Sequence, residues 1–220
     1  MRNIILIIIE VVISYTLLSV LSKKYKTDGI YVYAIIATII SSIMNLKTIS
    51  IMEVSIPIGF GITTSLLIGA NIIIQKRGKE DLKMYFLLII LSFIISYIFI
   101  NISVKLDNSN YNLLSNISYN NIFKNNLRMY IAIIISIIFS IWLDSNLYYI
   151  IKKLKNKIIF SNIFSIIIVE FFENIVFVLI AFLLEKEAID LFLCIIIRYI
   201  IKTIIGLFGT IPLYIINNNN

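Results

Sequence analysis

Apolar residues run along this chain in long blocks, with polar residues collected in the gaps. Blocks of Ile, Leu, Val and Phe occupy about 4–21, 30–46, 54–74, 84–104, 129–151, 158–184 and 190–216. Most approach the roughly 20 residues that an α-helix needs to cross the hydrocarbon core. In lipid every backbone N–H and C=O must be satisfied internally, which a helix does within its own segment. The pattern therefore predicts an all-α fold, a polytopic membrane helix bundle with about seven transmembrane helices in one integral membrane domain, residues 1–220. The first block carries Glu10 and runs into "SKKYK" without a small-residue cleavage site, so it reads as a retained helix rather than a signal peptide.

Composition agrees. The chain is 60% hydrophobic and 14% charged, with a mean hydropathy of +1.00, against roughly 45–50% and 25% in soluble domains. The net charge of +7 raises the prospect of a nucleic-acid partner, but its placement argues for topology instead. Lys23, Lys24 and Lys26 follow the first block; Lys76, Arg77, Lys79 and Lys83 the third; Lys152, Lys153, Lys155 and Lys157 the fifth. The intervening loops are poorer, with Lys47 in the second, Lys105 and Lys124 across the fourth, and Lys186 in the sixth. The positive-inside rule then places loops one, three and five in the cytoplasm, the N-terminus outside and the C-terminus inside a multi-pass plasma-membrane protein. The fourth loop, polar and rich in Asn, falls outside.

The chain has no histidine and a single cysteine, Cys194. That leaves no His/Cys zinc site, no Ser-His-Asp triad and no intramolecular disulfide. The expectation is a protein without metal, cofactor or enzymatic activity.

Polar residues inside the blocks stand out against this background. Within the predicted spans, glycine and proline occur only in the third ("SIPIGFGITTSLLIGANIII") and the seventh ("IIGLFGTIPLY"). Paired interruptions of this kind point to a transporter's binding site, or to close helix packing through small residues. Glu170 and Glu173 lie mid-block in the sixth span, Arg198 and Lys202 in the seventh. Spacings of three and four put each pair on one face of its helix. At roughly 2.5–3.5 kcal/mol per charge at a helix centre, four such groups facing lipid would cost about 10–14 kcal/mol. Two acids facing two bases on adjacent helices offset that, so these helices should meet through these residues. Other candidates at membrane depth or its edges are Glu10, Asn45, Asn71, Gln75, Asp144, Asn162 and Asn174; Asp144 and Arg128 lie nearer helix ends, where snorkelling is the plainer account.

Five stretches, in order and at matching spacing, resemble the queuosine precursor transporter family, also called the vitamin uptake transporter family. They are "KTDGIYVYAIIATIISSIMNLKTI", "IPIGFGITTSLLIGANIIIQKRGKEDLKM", "RMYIAIIISIIFSIWLDSNLYYIIKKLK", "SNIFSIIIVEFFENIVFVLIAF" and "YIIKTIIGLFGTIPLY". Arg128, Asp144, Asn162, Ser165 and Lys202 match the family pattern directly. Asn71 and Gln75 stand where the family usually has Asp and Glu, Ser161 replaces Arg, Glu170 replaces Gln, Glu173 replaces Asp, Asn174 replaces Thr, and Gly209 stands about where an Asp is usual.

The resemblance implies import of a 7-deazaguanine such as 7-cyano-7-deazaguanine or queuine, a small-molecule substrate handled within the lipid bilayer with no nucleic-acid partner. A guanine-like edge presents two adjacent N–H donors that one carboxylate can accept together, and its carbonyl oxygen needs a donor such as Lys202. Phe171, Phe172 and Trp142 are candidate aromatic faces for the flat ring. The expected substrate-binding set is Glu170, Glu173, Asn174, Lys202, Arg198, Asn71, Asn162 and Asn45. Alternatives are the substrate-capturing subunit of a multi-component vitamin importer, with an energising partner, a diverged non-transporting membrane protein, or a homo-oligomer of either.

Overall fold

The computed structural model describes residues 2–51, 53–107, 113–123, 127–155 and 157–218. In chain order the elements are α1 (Arg2–Met44), β1 (Thr48–Ile51), β2 (Val54–Pro57), α2 (Phe60–Arg77), α3 (Leu82–Lys105), α4 (Leu113–Phe123), α5 (Leu127–Lys155), α6 (Ile158–Phe182), α7 (Ala188–Phe208) and α8 (Thr210–Asn218). Five helical segments are long and apolar enough to cross a membrane: Asn3–Met44, Leu82–Lys105, Leu127–Lys155, Ile158–Phe182 and Ala188–Ile216.

The first of these is two expected spans in one. Drawn straight, a helix as long as α1 would reach about 65 Å, twice a bilayer core. It does not run straight, because Lys26 adopts φ 52° and ψ −129° and the chain turns back on itself. Gly29 shows how sharply. A Cβ there would collide with the carbonyl of Leu21, eight residues away and about 12 Å distant in a straight helix.

α2 sits at the centre. Every residue from Phe60 to Ile74 is buried, and the helix packs against both α1 and α5, and against α7. A helix that is apolar all round belongs inside a bundle. Gln75, Lys76 and Arg77 then carry its end out to a basic turn.

Three features depart from the sequence reading. The third span was expected from residue 54, yet Val54–Pro57 pairs antiparallel with Thr48–Ile51, from Thr48↔Pro57 to Ile51↔Val54. The alternation of Ile, Val, Ser and Thr suits a half-buried strand. Pro57 and the left-handed Gly59 (φ 93°) keep helix from starting before Phe60. Part of the fourth loop forms α4; Lys124 of that loop lies outside the described residues. The seventh span breaks at Gly209 into α7 and α8, where Pro212 has no N–H to return to the carbonyl of Phe208.

Alternation of charge becomes a spatial fact. Lys76 Nζ reaches the hydroxyl and carbonyl oxygens of Ser22 at 3.5 Å, and Lys79 donates to Asn146 Oδ1 near the end of α5. The first, third and fifth turns, holding eleven of the 19 basic residues, thus converge at one end. At the opposite end Lys186 donates to the carbonyl of Ser55 in β2 (2.7 Å), and Arg128 to that of Ile180 (2.6 Å).

Candidate functional site

α6 is two-faced. Asn162, Ser165, Glu170, Glu173, Asn174 and Phe177 are buried, while Phe164, Ile167, Phe171 and Phe172 are exposed on the outside of the bundle. Asn162, Ser165, Glu170, Glu173 and Phe177 recur at spacings of three to five, with Asn174 beside Glu173, which keeps them on one broad side of a helix of 3.6 residues per turn. α7 answers with Arg198, Lys202 and Gly206, all buried. Gly206 lets the two helices close: a Cβ there would lie 2.7 Å from Cγ2 of Ile166.

Between these faces sits a charged cluster. Lys202 Nζ donates to Glu173 Oε2 at 2.7 Å and lies 3.0 Å from Glu170 Oε2. The second pairing is the less well aligned of the two, and Oε1 of Glu170 has no partner among the described residues. Arg198 Nε donates to Asn174 Oδ1 (3.0 Å), and Asn174 Nδ2 to the carbonyl of Glu170 (2.6 Å). The guanidinium lies 4.0 Å from the ring centre of Phe177 and 5.6 Å from that of Phe60, leaving Nη1 without a partner. Glu170, Glu173, Arg198 and Lys202 are 0%, 2%, 3% and 2% exposed. Two acids and two bases balance, as burial requires.

A second polar cluster lies further along α6. Asn71 Nδ2 donates to Asp144 Oδ2 (2.7 Å) and to Asn162 Oδ1 (3.1 Å), and Asn162 Nδ2 donates to Thr210 Oγ1 (3.0 Å) at the α7–α8 break. Beside it, Gln75 donates to the Tyr148 hydroxyl.

Seven of the eight expected site residues thus fall into two core clusters. The eighth, Asn45, is buried but serves the turn into the β-hairpin, donating to the carbonyl of Ser41 (2.8 Å) and packing against Gly59. Glu10 accepts the backbone N–H of Ile62 (3.1 Å), so it caps the positive end of α2.

Two expectations are overturned. Of the two accounts of Asp144, snorkelling fails and the candidate at membrane depth stands: it is fully buried because α5 is long enough to carry it into the core. Phe171, Phe172 and Trp142 do not line the site, being 40%, 46% and 56% exposed. Phe60 and Phe177 are the aromatic faces at the cluster. The signal for Phe177 was present, four residues after Glu173 and seven after Glu170, whereas Phe171 and Phe172 lie about 100° and 200° round the helix from Glu170. Thr210 had no such signal.

Among the described residues no group of three or more His, Cys, Asp or Glu side chains is placed to hold a metal ion. A family model described as "Putative vitamin uptake transporter" matches residues 57–216. No curated protein and no solved structure matches the chain.

Proposed function

Because the chain belongs to the vitamin uptake transporter family, whose members are multi-pass membrane transporters, we propose that it imports a 7-deazaguanine of the queuosine-precursor type across the plasma membrane. The observation that carries the reading is Glu170, a fully buried carboxylate whose Oε1 has no partner and whose Oε2 has only the Lys202 ammonium, at 3.0 Å. A buried carboxylate in that condition is an acceptor in want of donors. The adjacent N–H groups of a guanine-like edge supply two donors to one carboxylate, in the charge-assisted paired geometry that is strongest in a water-poor site.

The surrounding residues take complementary parts. Lys202 turns from Glu170 toward the ring carbonyl while Glu173 keeps its bond to the ammonium, and Arg198 with Asn174 closes the far side. Phe177 and Phe60 offer flat faces for the ring. With the basic end in the cytoplasm, the N-terminus and the β-hairpin lie outside and the C-terminus inside. Import then proceeds from the hairpin end to the basic end.

Uptake complementation tests this. In a bacterium unable to make or import deazaguanines, the chain should restore queuosine in tRNA when one of the precursors is fed. Failure with every precursor, with the protein demonstrably in the membrane, would overturn the assignment of cargo.

A further inference from the structure

One buried carboxylate stands outside the charge-balanced cluster. Asp144 is fully enclosed, and among the described residues no lysine or arginine lies within ion-pair distance of it. Its bonded neighbour is neutral: Asn71 Nδ2 holds Oδ2 at 2.7 Å, backed by Asn162 and Thr210. Among the described residues two buried oxygens of this cluster, Asp144 Oδ1 and Asn71 Oδ1, have no directed hydrogen bond, the neutral Ser165 hydroxyl beside the carboxyl being turned to the carbonyl of Asn162.

The surroundings offer no compensating cation. From α6 the nearest charged group is Glu170, another acid, eight residues and about 12 Å along the helix from Asn162. From α2 come neutral Asn71 and Gln75, with Lys76 turned to Ser22 at the basic end. α5 itself adds Tyr148, one turn on. α8 has no charged residue, and the charged residues of α3, Lys83 and Lys105, stand at its two ends. An ionised carboxylate buried without a partner is so costly that it takes up a cation or becomes neutral.

We propose that Asp144 binds a proton that is carried with the substrate, paired to the amide of Asn71 and steadied by Asn162 and Thr210. An acid and an amide pair through two hydrogen bonds, amide N–H to one carboxyl oxygen and acid O–H to the amide carbonyl. The first is present, and the two unpartnered oxygens are the ones the second would join. A proton on Oδ1 turns two unsatisfied acceptors into one hydrogen bond. A bare alkali ion is the poorer fit, since hard cations take roughly six oxygen ligands and this cluster has few to spare. The pair bridges α2 and α5, and Asn162 ties it to the α7–α8 break. Losing the proton would charge the site at that joint, which links the proton to a movement of the helix ends. This inference rests on the transport reading of the neighbouring cluster.

Two measurements test it. Infrared spectra of the purified protein at neutral pH should contain a protonated-carboxyl band that Asp144→Asn removes and Glu170→Gln leaves in place. In proteoliposomes, an inward acid gradient of one pH unit should drive accumulation up to roughly tenfold at one proton per substrate. Asp144→Asn should abolish that response while keeping exchange of substrate across the membrane. A band unaltered in Asp144→Asn, or uptake driven by sodium and indifferent to pH, would overturn the proposal. If the wild type takes up no deazaguanine, the cargo reading fails and cotransport with it. Loss of the band in Asp144→Asn would still identify the bound proton.

Discussion

The two polar clusters in this bundle keep different electrostatic accounts. Between α6 and α7, Glu170 and Glu173 face Lys202 and Arg198, so charge is high but net charge is nil. Between α2, α5 and α6, Asp144 meets only amides and hydroxyls, so charge is low but unopposed. Burial is equally complete in both. The lesson is that enclosure alone does not say what an ionisable side chain is for: a balanced cluster can stay ionised and recognise a ligand's dipoles, whereas a lone acid is stable only while something positive is bound to it.

The comparison is broken most severely at Lys202. Lys202→Met leaves Glu170 and Glu173 facing each other with only Arg198 nearby, and removing one partner of a buried ion pair costs about 3–5 kcal/mol. The variant should show a large drop in thermal stability in detergent, or fail to accumulate in the membrane. Glu173→Gln on the same background lowers the excess charge and should recover part of the loss. Asp144→Asn should behave oppositely, shifting stability by less than about 1 kcal/mol at neutral pH, because the amide resembles the neutral acid and keeps one hydrogen bond. A collapse of Asp144→Asn to match Lys202→Met would mean that both clusters hold full charges, and the distinction would fall.

Glu173→Gln alone sharpens the functional side. It removes the 2.7 Å charge-assisted bond to Lys202, while the ion pair with Glu170 remains. A bond to a charged group is worth about 1.5–3 kcal/mol, so uptake of the deazaguanine should fall roughly tenfold to hundredfold. The comparison is made at equal amounts of folded protein in the membrane. Normal uptake and affinity in this variant would remove Glu173 from the site.

The closeness of α6 and α7, on which the balanced cluster depends, is set by Gly206. Gly206→Ala places a methyl 2.7 Å from Ile166 Cγ2, and overpacking of this kind costs about 1–3 kcal/mol. Ile166→Ala creates space at the same contact. The double variant should therefore be more stable than the two single losses added together, by about 1 kcal/mol or more in a double-mutant cycle. Strict additivity would show that the helices do not meet there.

Much of this arrangement was readable in the chain. Block lengths gave the helices, and alternation of basic turns gave their up-and-down order, because lipid leaves the backbone few alternatives. The pairing of Glu170 and Glu173 with Lys202 followed from spacing and from the cost of leaving charges in hydrocarbon. Other features depend on depth and direction, which a one-dimensional pattern does not carry. Asp144 lies late in its block, where the pattern alone leaves a buried candidate and a snorkelling group both open; α5 continues to Lys155 and settles it as buried. The strands at Thr48–Ile51 and Val54–Pro57 are too short to be told from the beginning of an apolar helix by periodicity. Thr210 enters its cluster only because the last helix breaks beside it.

The aromatic residues give the smallest effect and the cleanest check on helix orientation. Phe171 lies between the two glutamates in sequence, and proximity along the chain suggested a stacking platform. In the fold it is 40% exposed on the far side of α6, with Phe172 and Tyr199 as its ring neighbours at 5.4 Å and 5.7 Å. Phe171→Leu keeps an apolar group against lipid and should change stability by no more than about 0.5 kcal/mol, with uptake unaltered. Phe177→Leu at the cluster should depress uptake, because it takes away the ring on which Arg198 stacks and the flat face offered to the substrate. A loss of uptake in Phe171→Leu, with Phe177→Leu unaffected, would mean that α6 presents its other face to the cargo. The glutamates would then be a structural clasp, and recognition would have to be sought on the outer surface of the bundle.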